Sequence, residues 1–189
     1  TVNLELLRGQ KLGIIGDNGV GKSTLVKTLL REVLALSGAF EFGIKTEIGY
    51  FSQQMAQYSN GKSVFEDFHD EFPLLNETEV RSALGAFLFS GEDVFKRVDD
   101  LSGGERVRLA LCKMFKKRPN VLILDEPTNH MDIVGKETLE NMLCEYTGTV
   151  IFVSHDRYFV NKVADRLLVF EENGAKFYPH GYAEYEIIE

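Results

Sequence analysis

Eight residues near the start constrain this chain more than any others. Gly16-Asp17-Asn18-Gly19-Val20-Gly21-Lys22-Ser23 fits the pattern G-x-x-x-x-G-K-[ST]. The run before it, KLGIIG at Lys11–Gly16, is short, apolar and ends on glycine, which predicts a buried strand. The run from Ser23, STLVKTLLREVL, carries Leu25, Leu29 and Val33 at helical spacing. In such a strand–loop–helix, backbone N–H groups converge on phosphate oxygens and the positive end of the helix adds to the attraction. Lys22 supplies a point charge for the β- and γ-phosphates, and the Ser23 hydroxyl can ligate Mg²⁺; Thr24 joins the candidate nucleotide-contacting set. The segment points to a nucleoside triphosphate with magnesium, and leaves the base and the reaction open.

The rest of the chain alternates in the same way. VLILD at Val121–Asp125, TVIFVS at Thr149–Ser154 and RLLVF at Arg166–Phe170 are short continuous apolar runs, as expected of strands covered on both faces. EFGIKTEIGYF, around Glu41–Phe51, is β-rich, with Ile44, Ile48 and Tyr50 alternating with polar residues. The middle third is helical in pattern. Asn76 with Glu79 resembles a capping box ahead of a run to Phe89, and Ser90 with Asp93 is a second cap signal. From Gly104 to Lys117, Val107, Leu111, Met114 and Phe115 share a face; Lys116, Lys117, Arg118 and then Pro119 mark the end. The expectation is an α/β fold with a mostly parallel sheet of βαβ units and a helical insert. A hydrophobic share of 44% against 26% charged suffices for a full core, and a net charge of -8 disfavours a non-specific grip on nucleic acid or anionic membrane. Cys112 and Cys144, with no Cys/His cluster nearby, read as reduced core thiols. No run approaches the ~18 apolar residues of a membrane span, and no signal peptide is visible.

Asp125 and Glu126 close a buried strand, where a carboxylate of a parallel sheet faces the ligand crevice. With a phosphate loop present, Asp125 is placed to hold magnesium and Glu126 to polarise an attacking water. Leu101-Ser102-Gly103-Gly104-Glu105 opens the helix to Lys117 and reads, alone, as an N-cap with Ser102 and Glu105 forming the box.

In order, the phosphate loop, LSGGE, LILDEP and a strand ending in Ser154-His155 resemble the motif set of ATP-binding cassette (ABC) ATPases, over nearly the whole chain. The resemblance implies a RecA-like P-loop NTPase core at 1–54 and 118–189 with a helical subdomain at about 55–117. It implies ATP and Mg²⁺ as ligands. Gln53 resembles the residue that senses magnesium and the attacking water, with Gln54 as the one-residue alternative, and His155 resembles the switch histidine at the γ-phosphate. It also implies that Leu101–Glu105 acts across an interface on a partner's nucleotide and that Asp132 touches the partner. EPTNHMD, SHDRYF and FYPHGYAEYE are similar to the ABC-F class, whose members carry two cassettes in one chain, lack a transmembrane domain and act at the ribosome in translation or antibiotic resistance. The stretch LGAFLFSGEDVFKRVDDLSGGERVRLAL looks most like the second cassette. Thr1–Ile15 holds no aromatic residue to stack on adenine, so the sequence reads as N-terminally truncated. What the resemblance implies is therefore a cytoplasmic ATPase needing a second cassette, with the ribosome as partner of the full-length protein and no strong nucleic-acid binding by this domain. The alternatives are the nucleotide-binding subunit of a transporter and a binding-only ATP switch.

Overall fold

The computed structural model describes residues 1–17, 19 and 21–188, with the backbone alone at Ile188. A six-stranded sheet forms its centre, in the order β2-β3-β4-β1-β5-β6. The strands are β1 (Lys11–Gly16), β2 (Ile48–Phe51), β3 (Val121–Asp125), β4 (Thr149–Val153), β5 (Arg166–Glu171) and β6 (Gly174–Tyr178). The first five run parallel; β6 pairs antiparallel with β5. The helices are α1 (Lys22–Leu29), α2 (Val64–Glu71), α3 (Glu77–Ala86), α4 (Gly103–Lys116), α5 (Ile133–Glu145), α6 (Arg157–Val163) and α7 (Tyr182–Ile188). None of the described helices is long and apolar enough to cross a membrane.

The continuous apolar runs arise because the strands are buried on both faces. On one face Leu12, Ile14, Ile123, Ile151, Val153 and Leu168 pack with Val26 of α1. On the other, Leu122, Leu124, Val150, Phe152, Leu167 and Val169 share a cluster with Val107 and Leu111 of α4, Phe68 of α2 and Leu84 of α3. The helical insert therefore continues the core of one sheet face.

Several sequence expectations change in detail. The strand expected around Glu41–Phe51 begins only at Ile48: Lys45 turns with φ 58° and Ile44 is almost fully exposed, so the apparent alternation has no sheet to face. The helix from Ser23 stops at Leu29, with Arg31 at φ 62°. The Asn76 side chain caps α3 through the Glu79 N–H. That helix ends at Ala86, short of Phe89, because Leu88 takes φ 70°. Cys112 is buried, its thiol pushed up to about 12 by desolvation. Cys144, expected in the core, is exposed on α5, with Sγ 3.6 Å from the Lys162 carbonyl.

Candidate active site

The order of strands decides what meets what. β4 lies between β1 and β3, in a register that places Ile14, Val153 and Asp125 side by side. The residues that leave the three strands at their C-terminal ends are Gly16, Asp125–Glu126 and Ser154–His155, and they meet in one crevice, as ligand sites in open α/β sheets do.

Gly16 ends β1 at φ 144°, and a Cβ there would lie 2.5 Å from the Phe170 carbonyl oxygen of β5, so only glycine fits as the chain leaves the sheet. Asn18 and Val20 of the candidate loop lie outside the described residues. Gly21, at φ 110°, precedes α1, and Lys22, Ser23 and Thr24 form that helix's first turn. Ser23 and Thr24 are exposed, whereas Lys22 is buried. The Lys22 ammonium donates to the Gly16 carbonyl and stands 3.5 Å from His155 Nε2. Burial lowers its pKa, against the opposing charges of Glu126, Asp17 and Asp125.

Glu126 has φ 51°, an uncommon conformation for a non-glycine residue that often marks a working site. Its backbone is held at both ends: its N–H donates to the Val153 carbonyl (2.8 Å), and its carbonyl accepts from Gln53 Nε2 (2.7 Å). Its carboxylate meets His155 twice, with the His155 backbone N–H 3.3 Å from Oε2 and Nε2 3.1 Å from Oε1. The second contact lacks hydrogen-bond alignment, which leaves Oε1 a buried acceptor without a hydrogen bond among the described residues. Burial raises the pKa of Glu126, with His155 opposing, and raises that of Asp125, with Lys22 and Lys27 opposing.

Of the two adjacent glutamines, Gln53 reaches the crevice and Gln54 is exposed. Leu101–Glu105 stands apart from this cluster. Ser102 caps α4, accepting from the Glu105 N–H at 3.2 Å, and Glu105 closes the box by accepting from the Ser102 N–H. A Cβ on Gly104 would lie 2.6 Å from the His130 carbonyl oxygen, so this glycine permits the loop after β3 to touch the start of α4. Asp132 caps α5, Oδ1 accepting from the Gly135 N–H at 2.8 Å. Asp156 is a residue that motif reasoning missed. It caps α6 and pairs with Lys136 of α5 at 3.1 Å, anchoring the turn that carries His155. The D-R-Y-F run opening a helix was the available signal.

Among the described residues no group of three or more His, Cys, Asp or Glu forms a metal cage. Mg²⁺ commonly takes one carboxylate plus substrate phosphates. Asp125, half-buried with its negative charge only partly offset, fits such an ion.

A mostly parallel sheet with this loop after β1 and paired carboxylates after β3 defines a P-loop NTPase domain of the α/β class. The family model described as "ABC transporter" matches residues 1–129. YdiF of Bacillus subtilis (strain 168) is 47% identical over 184 residues, which cover 97% of this chain and 29% of that protein. ABC transporter F family member 2 of Arabidopsis thaliana is 39% identical over 182 residues, covering 95% of this chain and 27% of that protein. Among solved structures, RNase-L Inhibitor superposes with a TM-score of 0.72 at 27% identity, over 94% of this chain and 36% of that one. The chain belongs to the ABC transporter family, as an ATP-binding cassette of ABC-F type. It spans less than a third of the length of the two curated relatives, 29% and 27%. ABC ATPases in general hydrolyse ATP, generally with Mg²⁺, and their cassettes work in pairs.

Proposed function

We propose that this chain is the ATP-hydrolysing cassette of a cytoplasmic ABC-F protein, in which closure on ATP against a second cassette drives action on the ribosome. The observation that supports it best is the cluster at the ends of β1, β3 and β4: Lys22 beside His155, and His155 beside Glu126. In this reading 1–54 and 118–189 form the core and about 55–117 the signature-bearing helical subdomain.

Lys22 and the loop amides bind the β- and γ-phosphates. Ser23 and Asp125, with Gln53 nearby, would hold Mg²⁺, which when bound neutralises phosphate charge. Glu126 accepts a hydrogen bond from the attacking water and takes up its proton as the water adds to the γ-phosphorus and the bond to the β-phosphate oxygen breaks. His155 orients the Glu126 carboxylate and faces the γ-phosphate. Ser102 and the Gly103–Gly104 amides at the head of α4 serve the nucleotide of the opposite cassette, and Asp132 lies at that interface. One cassette then supplies two half-sites, and its hydrolysis alone is weak.

The test is Glu126→Gln in the full-length protein carrying this cassette. Turnover at this site is expected to fall by roughly 10²–10⁴-fold, the usual worth of a general base. The protein should stay closed on ATP and sediment with ribosomes. Undiminished turnover would remove Glu126 from the mechanism. Co-purification with a membrane permease in place of ribosomes would reassign the load to transport.

A further inference from the structure

His155 comes from the end of β4 and Glu126 from the end of β3, so their contact depends on how the turn after β4 is held. The His155 side chain is 49% exposed. Packing alone therefore does not fix the ring, and the backbone on either side of it must. On the strand side, Ser154 is buried and its N–H donates to the Ile14 carbonyl at 3.3 Å. On the helix side stands Asp156. Its N–H donates to the Ser154 hydroxyl at 3.0 Å and its Oδ1 accepts from the Phe159 N–H at 3.1 Å, both local bonds. Its Oδ2 reaches a different element, accepting from Lys136 Nζ of α5 at 3.1 Å.

Lys136 is itself firmly based. It lies in the first turn of α5, where its N–H donates to the carbonyl of the capping residue Asp132 at 3.0 Å. Asp132 follows Glu126 by six residues. The contacts therefore close a ring. From Glu126 the chain runs to Asp132 and Lys136, Lys136 holds Asp156, and the neighbouring His155 returns to Glu126 through its N–H and Nε2. A second ion pair keeps the two helices in step. Glu140, one turn along α5 from Lys136, pairs with Lys162 of α6 at 3.0 Å. The charges are reversed between the two pairs, so a slip of one turn would set Glu140 against Asp156. The Glu140 side chain is only 3% exposed. Buried pairs add little net stability, and fixing a register is their better-attested role.

We propose that Lys136 is a positioning residue for His155: through Asp156 it holds the turn after β4, so that the imidazole keeps its place between the Glu126 carboxylate and the Lys22 ammonium. This deepens the ATPase reading above and rests on it. Lys136 takes no part in the chemistry and acts only through Asp156. Its ion pair is partly exposed and so contributes little to global stability; what it sets is local geometry.

The experiment uses the full-length protein carrying this cassette, as wild type, Lys136→Met, Lys136→Arg, His155→Ala and the double variant Lys136→Met with His155→Ala. Steady-state ATP turnover, melting temperature and amide hydrogen exchange are measured. Lys136→Met is expected to lower kcat about tenfold with KM for ATP within about twofold, because misplacing a group at the reacting centre costs rate and leaves the phosphate loop intact. The melting temperature should hold within about 3 °C, as expected for a partly exposed pair. Exchange at 154–157 should quicken about fivefold or more as the turn opens locally. Lys136→Arg, which keeps a charged donor on Asp156, should restore most of kcat and slow the exchange again. Once His155 is removed, Lys136→Met should change kcat by less than about twofold, since a residue acting through another adds nothing in its absence. The proposal is overturned if Lys136→Met lowers kcat equally with and without His155, if Lys136→Arg restores nothing, or if exchange at 154–157 is the same in Lys136→Met as in wild type. Failure of the ATPase reading shows separately, as equal turnover by wild type and Glu126→Gln; the exchange measurement still decides whether Lys136 holds the turn.

Discussion

The crevice around Glu126 and the network around Asp67 both bury charge, and they do so in opposite ways. In the network, Asp67 and Lys113 are 2.6 Å apart, and Tyr58 and Asn60 supply further bonds to the Asp67 carboxylate. Burial there works against the Lys113 charge, yet its bonds to Asp67 and Tyr58 prevail and its pKa rises. The Tyr58 hydroxyl is pushed up to about 12 by burial and by its bond to Asp67. Glu71, flanked by Lys113 and Lys117, ends below its ordinary value although burial pushes the other way. In the crevice, burial wins: Lys22 is lowered, and Asp125 and Glu126 are raised. A satisfied network holds elements together. An under-satisfied one costs stability and is the mark of a site arranged for something the protein alone does not contain.

Three measurements sharpen that contrast. Lys113→Ala leaves Asp67 buried without its cation and should cost about 3 kcal/mol in denaturation, the usual scale for breaking a buried pair. A negligible loss would mean that the network is no better satisfied than the crevice. Glu126→Gln should act with the opposite sign, stabilising the nucleotide-free protein at pH 7 by about 1 kcal/mol, as charge relief at functional sites commonly does. The sign follows from linkage. Folded Glu126 holds its proton to a higher pH than the unfolded chain does, so raising pH through that window disfavours the native state. The advantage of the variant should therefore shrink as the solution is acidified and wild-type Glu126 becomes neutral. The smallest effect is expected at Asp70, paired with Lys62 at 2.5 Å but on the surface. Asp70→Asn should leave the melting temperature unchanged within error, and a clear drop would show that exposure is not what separates structural from idle ion pairs.

Local pattern made much of this legible. The three continuous apolar runs became β3, β4 and β5 because parallel strands need apolar residues on both faces, and the phosphate-loop pattern located the end of β1. Asp125, Glu126 and His155 could be placed at strand ends without knowing the strand order. What local pattern could not carry was long-range context. Ile44 alternates correctly but has no neighbouring strand, and the choice between Gln53 and Gln54 depends on a carbonyl 73 residues away. The bond from the Arg106 guanidinium to the Tyr58 carbonyl spans 48 residues and has no signature in spacing, since any arginine on an amphipathic helix reads as a solvated charge. Strand β6 and helices α5, α6 and α7 were not read from the sequence, although Asp132 and Asp156 offered side-chain caps for two of them.

The close approach of Gly104 to His130 has a mechanical consequence. With 2.6 Å between the carbonyl oxygen and the place a methyl group would occupy, the two loops share one thickness of matter and cannot slide past each other. The His130 backbone meets the head of α4 with no side chain of Gly104 between them, so a displacement of that loop toward the helix has no gap to take up.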